Sequence, residues 1–276
     1  VEGCETTLAH SGFKEGQRLA LLLPNSPVTL ALCLAAWRLG GTVIPLNVQA
    51  GEKEILRCTA HGDVFGAYLC KGFESLAESL AKNGVPSGIT PLDGPIPDLA
   101  GRKGGYETPD TAVIFFTSGT TGAPKAVCIT HENIRSNVDA SLHHFTELRE
   151  NEVFLNALPN FHTLGFTVCG MLPMLAGMGQ AIVPNFMPAE ATLEVMRAAG
   201  VSMAITVPAM VALLEGAVAR GTPPPQELHI LASGGDRLPP KIAARSSQLL
   251  GVPVLEGYGL TETSPVVAVN PCYAKN

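Results

Sequence analysis

Charge is what this sequence has least of. Asp, Glu, Lys and Arg make up 15% of its 276 residues, against roughly a quarter in an average globular domain. Two explanations fit. Either the core is large for the length, or apolar surface is covered by polypeptide outside these residues. Clustered Lys and Arg are also missing, and the formal net charge is −6. Nucleic acid is therefore excluded as a partner, because phosphate neutralisation needs a basic patch. The seven cysteines (Cys4, Cys33, Cys58, Cys70, Cys128, Cys169 and Cys272) contain no CxxC pair and no regular framework. Single thiols scattered through apolar stretches read as reduced and buried, which points to the cytoplasm. No HExxH or comparable ligand spacing supports a structural zinc. A basic-then-apolar leader is not seen at the N-terminus. Val153 to Ala189 lacks any Asp, Glu, Lys or Arg. Pro159, Pro173 and Pro184, with Gly165, Gly170, Gly177 and Gly179, break it well short of the ~20 apolar residues that span a bilayer. It reads as buried core.

What is present is alternation. Arg18–Leu23 has strand character. Ser26 then caps a helix with Pro27 at its first position, and Gly40–Gly41 stops it. Thr42–Leu46, Val64–Cys70, Thr111–Phe116 and Ala126–Thr130 read as further strands, with helices near Glu52–Ala60 and Phe73–Asn83. Gly84 to Asp110 is rich in Gly and Pro and reads as a surface connection. The second half repeats the pattern, with strands near Glu152–Leu158, Gln180–Val183, Val201–Val207, Glu227–Ala232 and Val252–Glu256. Helices fall at Ala189–Ala199, Pro208–Arg220 and Pro239–Leu250. Short strands separated by helices imply parallel βαβ units. The predicted architecture is α/β, two doubly wound and mostly parallel sheets packed with helices. Residues 1–145 form the first subdomain and residues 146–276 the second.

The strongest chemical signal is Thr117-Ser118-Gly119-Thr120-Thr121-Gly122-Ala123-Pro124-Lys125, directly after a predicted strand. Glycines let backbone N–H groups approach a polyanion, hydroxyls donate to it, and the lysine adds charge. Pro124 and Ala126 flank Lys125, so this is not a Walker loop. A polar turn between strands is the bland alternative, and the density of hydroxyls disfavours it.

Together with Ser233-Gly234-Gly235 and Glu256-Gly257-Tyr258-Gly259-Leu260-Thr261-Glu262, each at a predicted strand end, this run resembles the signatures of the adenylate-forming superfamily. That superfamily comprises acyl-CoA synthetases, nonribosomal-peptide adenylation domains and luciferases. Ligands in open α/β sheets gather at the carboxyl ends of strands, where all three signatures fall. The segment Leu158 to Gly177 and the tail from Leu255 resemble the fatty acyl-CoA and acyl-acyl-carrier-protein synthetase branch.

The resemblance implies ATP-dependent activation of a carboxylic acid, a fatty acid in that branch, to acyl-AMP. Transfer to the thiol of CoA or of an acyl carrier protein's phosphopantetheine follows. Thr117 to Lys125, hence Ser118, Gly119, Thr120, Thr121 and Gly122, would hold the β and γ phosphates. Gly234, Gly235 and Asp236 would line the adenine, Tyr258 would stack on its face, Gly257 would present backbone polar groups to its edge, and Glu256 and Gly259 would belong to the same nucleotide-binding set. Thr261 would contact the α-phosphate, Glu262 would ligate Mg2+, and His162 would stand between the carboxylate and the incoming thiol. A lone histidine in an apolar stretch can equally be a hydrogen-bonded core residue. Asp236 stands where many relatives carry a small residue. The superfamily's ribose-binding aspartate, hinge and C-terminal lid domain with its catalytic lysine have no counterpart here. The expectation is therefore an N-terminal-domain portion that does not complete the reaction alone. An amino-acid or aryl-acid adenylation domain and a non-catalytic nucleotide-binding module are the alternatives.

Overall fold

A computed structural model describes residues 1–100, 110–117, 125–145, 148–149 and 151–271. The chain divides into two compact units, Val1–Glu132 and Asn133–Asn276. The first unit runs α1 (Glu2–His10), β1 (Arg18–Leu22), α2 (Pro27–Arg38), β2 (Thr42–Pro45), α3 (Glu52–His61), β3 (Gly66–Cys70), α4 (Glu74–Lys82), β4 (Ser87–Thr90), β5 (Thr111–Thr117) and β6 (Lys125–Thr130). Its six strands lie in the order β4-β3-β1-β2-β5-β6. The first four neighbouring pairs are parallel, and β5 with β6 is antiparallel.

Local chemistry sets these elements. The Ser26 hydroxyl accepts from the Thr29 N–H at 3.1 Å, with Pro27 at the first position of α2. Gly40 ends the helix in the left-handed region that glycine tolerates. One layer of core packs Ala20, Leu22, Ile44, Leu69 and Ile114 of the sheet against Ile55, Cys58, Leu76 and Leu80 of α3 and α4. The single tryptophan, Trp37, donates its indole N–H to the Ala112 carbonyl at 2.7 Å and so ties α2 to β5.

Helix α5 (His131–His144) leads into the second unit. There follow β7 (Val153–Asn156), a π-helix (Leu164–Met171) continuing into α6 (Leu172–Leu175), β8 (Gly179–Ile182), α7 (Ala189–Ala198), β9 (Met203–Thr206), α8 (Pro208–Ala219), β10 (Ile230–Ser233), α9 (Pro240–Leu250), β11 (Val254–Gly259), a 3-10 turn (Thr261–Thr263) and β12 (Val266–Val269). The strand order is β12-β11-β10-β9-β7-β8, parallel except for β11 with β12.

The architecture is the predicted one, two mostly parallel six-stranded sheets packed with helices. Three details differ from the sequence reading. Helix α1 precedes the first predicted strand and buries Cys4 and Leu8. Strand β4 lies inside the Gly- and Pro-rich connection, paired with β3 from Ala67–Ser87 to Cys70–Thr90. Two sheet-edge strands, β6 and β12, run antiparallel to their neighbours. Cys128 lies exposed on β6, while Cys33, Cys58 and Cys169 are buried as expected; no disulfide forms among the described residues. Among those residues no helix is long and apolar enough to cross a membrane.

Candidate active site

Carboxyl ends of β7, β10 and β11 surround a cavity of about 540 Å3 in the second unit. Of the predicted site residues, His162, Gly234, Gly235, Gly257, Tyr258, Gly259 and Thr261 line it together. Residues almost a hundred positions apart thus meet at one sheet edge. Apolar side chains form most of the remaining wall, among them Phe145, Leu164, Val168, Ile205, Val207 and Met210. No Asp, Glu, Lys or Arg lines it among the described residues.

His162 is carried by the turn between β7 and the π-helix. Asn160, itself buried, holds that turn shut: its Nδ2 donates to the Gly165 carbonyl at 2.9 Å and to Asn156 Oδ1 at 3.0 Å. Gly165 is required there, because a Cβ would stand 2.2 Å from the Pro159 carbonyl oxygen. The His162 N–H donates to that same carbonyl at 3.0 Å, and the His162 carbonyl accepts from Phe166. The imidazole packs on Phe161, with ring centroids 4.6 Å apart. It keeps solvent contact, so it is not a core histidine. Even so, desolvation by its surroundings lowers its pKa below the ordinary histidine value, which favours the neutral ring.

The glycine turn after β10 is fixed by its backbone. Gly234 N–H donates to the Thr206 carbonyl at 2.9 Å, and Gly235 has φ +80°, a conformation side-chain-bearing residues rarely adopt. β11 brings up the second motif. Its register with β12 shifts between Tyr258 and Gly259, and a Cβ on Gly259 would lie 2.0 Å from the Pro265 carbonyl oxygen. That carbonyl accepts from the Leu260 N–H at 3.1 Å and from the Thr263 hydroxyl at 2.6 Å, which sets the turn bearing Thr261 and Glu262. Tyr258 is 61% exposed, so its ring face is open to a ligand.

The remaining predicted residues fall elsewhere. Asp236 is exposed and accepts from the Arg237 N–H at 2.7 Å. Glu256 accepts from the Leu238 N–H at 3.3 Å. Neither they nor Glu262 line the cavity. Glu262 is exposed on the 3-10 turn, next to Thr261. No group of three or more His, Cys, Asp or Glu side chains is placed to hold a metal among the described residues. A lone exposed carboxylate fits an ion that keeps its waters and arrives on a phosphate. Thr117 and Lys125 are opposite each other in the β5–β6 pairing of the first unit. Ser118, Gly119, Thr120, Thr121 and Gly122 lie outside the described residues.

Two positions escape the sequence reading. Asn137 of α5 bonds the strand after the Thr261 turn, and Phe145 closes one side of the cavity. Asn160 did carry a signal, as an amide within an apolar, uncharged run.

Comparison with known proteins gives the family and the fold. The profile of the family described as AMP-binding enzyme matches residues 6–276. A 2-succinylbenzoate--CoA ligase of Bacillus thuringiensis subsp. konkukian is 29% identical over 265 residues, covering 96% of this chain and 52% of the ligase. A feruloyl-CoA synthase of Amycolatopsis sp. is 30% identical over 270 residues, covering 95% and 52%. The chain thus spans about half the length of these curated relatives. The crystal structure of a long-chain-fatty-acid-CoA ligase from Archaeoglobus fulgidus superposes with a TM-score of 0.84 at 20% identity, over 98% of this chain and 57% of that one. At that identity the likeness speaks for the fold.

Proposed function

Because the chain belongs to the AMP-binding enzyme family, we propose that it forms the acid- and nucleotide-binding part of an ATP-dependent acid–thiol ligase acting in the cytoplasm. One observation carries this reading: His162, the Gly234–Gly235 turn and the Gly257–Thr261 segment converge on a single cavity with an apolar wall.

In the first step a carboxylate oxygen attacks the α-phosphorus of ATP, giving acyl-AMP and pyrophosphate. In the second, a thiol of CoA or of a carrier protein's phosphopantetheine attacks the acyl carbon and releases AMP and a proton. Tyr258 offers an exposed ring for adenine, and Gly234, Gly235 and Gly257 let backbone groups approach the base. Thr261 lines the cavity, and its hydroxyl would suit the α-phosphate. A neutral His162 beside the carboxylate adds a hydrogen-bonding ring without a cation that would trap the substrate as an ion pair. Thr117 to Lys125 would hold the β and γ phosphates, as their composition suggests. Glu262 would hold Mg2+, which neutralises phosphate charge when bound. Catalysis then rests mainly on positioning and on charge stabilisation.

The substrate we favour is an acid with an apolar tail, a fatty acid first. Burying an unpaired charge against such a wall is costly. An amino acid is disfavoured, since among the described residues no acidic side chain lines the cavity to receive its amine. An aryl acid is the second reading, favoured by the names of the relatives at 29% and 30% identity. The test is to incubate the full-length protein with ATP, Mg2+, CoA and a fatty acid and to follow AMP and thioester by mass spectrometry. Both products, in equal amounts and dependent on the acid, are expected. ATP binding without either product would leave a nucleotide-binding module.

A further inference from the structure

A second, smaller cavity of about 140 Å3 lies between α5 and β12, and four residues line both it and the main cavity: Ser141, Phe145, Val266 and Val269. They form a shared partition. Ser141 is small and its hydroxyl is turned onto the Asn137 carbonyl of its own helix at 2.8 Å. Val266 and Val269 belong to the strand edge. Phe145 is the bulky member, 6% exposed, directly after the last turn of α5, with its N–H donating to the Ser141 carbonyl at 3.2 Å and its ring edge-on to His144 at 5.3 Å. On its other side the smaller pocket is completed by Asn137, Ala140, His144, Val267 and Ala268, the last four of them exposed, so that it opens to solvent.

We propose that Phe145 sets the length of acyl tail the enzyme accepts, by separating the main cavity from a smaller one into which a longer tail would otherwise extend. The proposal rests on the ligase reading, with the main cavity holding the tail of an apolar acid. Each methylene buried there strengthens binding about fourfold, until the growing tail meets the phenyl ring. Beyond that length, each further methylene must stay in water or displace a packed ring, and the gain ends. Phe145 is therefore a specificity-determining residue that takes no part in the chemistry at the carboxylate.

The experiment measures binding of a straight-chain fatty-acid series to the full-length protein, by displacement of a fluorescent fatty acid, beside acid-dependent pyrophosphate exchange. Wild type should gain affinity with length and then level off. Phe145→Ala should move that plateau to longer acids, with tenfold or greater gains for acids beyond the wild-type limit and little change for short ones. Val269→Ala thins the same partition from the strand side and should shift the plateau in the same direction, which covers a poorly folded Phe145→Ala. Adding Ala140→Phe, which fills only the smaller cavity, should return the Phe145→Ala plateau to shorter acids. An unmoved plateau in folded Phe145→Ala and Val269→Ala proteins overturns the proposal. So does a wild type that binds no fatty acid of any length, even if exchange with another acid upholds the ligase reading. Absence of exchange with every acid, beside a length-dependent fatty-acid plateau that shifts as described, would overturn the ligase reading and leave the partition standing.

Discussion

The side-chain amide of Asn137 brackets the backbone of Val266. Its Nδ2 donates to the Val266 carbonyl at 2.9 Å, and its Oδ1 accepts from the Val266 N–H at 3.2 Å. A further contact reaches the Thr263 carbonyl at 3.3 Å. One residue of α5 thus fixes the segment that follows the Thr261–Glu262 turn. Asn137→Ala should leave backbone groups of Val266 unpaired, at about 1–3 kcal/mol. We predict a folded protein with weakened acid-dependent pyrophosphate exchange and a higher KM for ATP. Unchanged kinetics beside a lowered melting temperature would show that the bracket serves stability alone.

Gly259 and Gly234 should respond differently to alanine. At Gly259 the new Cβ meets the Pro265 carbonyl oxygen at 2.0 Å, whereas at Gly234 the nearest atom is the Gly257 carbonyl oxygen at 3.5 Å. Gly259→Ala should therefore destabilise by about 1–3 kcal/mol or more, visible as a lower melting temperature. Gly234→Ala should melt like wild type. Equal melting temperatures for both would contradict the turn geometry.

His162 gives a pH signature. Desolvation lowers its folded pKa below the unfolded value near 6.5. Between those two values the unfolded chain binds more protons than the native one, so stability falls as the pH drops through that window. His162→Gln should remove this part of the acid sensitivity. Thermal melts of both proteins from neutral pH to pH 5 check it, and parallel curves would contradict it.

The charged residues proposed to act on phosphate and Mg2+ should affect rate rather than folding. Lys125 is exposed on β6, and Glu262 is exposed on its 3-10 turn. Lys125→Ala and Glu262→Gln should each lower adenylation by about 10²–10³, the usual effect of losing one preorganised charge-stabilising group. Their melting temperatures should stay near wild type. Normal exchange by a folded Glu262→Gln protein would remove Glu262 from its proposed role.

Signals confined to a few neighbouring residues were legible in the sequence. Ser26 with Pro27 announces α2, and Gly40 announces its end, because capping is local chemistry. The Ser233–Gly235 and Glu256–Glu262 motifs were legible for the same reason, since each is a short run at the carboxyl end of a strand. Pairing across the fold was not. β4 is recognisable only beside β3, and its Gly- and Pro-rich surroundings read as a loop. Nor does periodicity separate the π-helix at Leu164–Met171 from buried core, since its apolar residues leave no face to count. Asn137 and Phe145 meet their partners only after α5 and β12 come together, more than a hundred residues apart in sequence.

In the proposed reaction the cavity lined by His162 and Tyr258 receives an apolar acid for attack on ATP. Acid-dependent exchange of labelled pyrophosphate into ATP by the full-length protein tests it most directly, run across fatty, aryl and amino acids with Mg2+. Exchange is expected with fatty acids, rising with tail length to a limit, and none above background with polar amino acids. Exchange driven by a polar amino acid in preference to every fatty and aryl acid would contradict it.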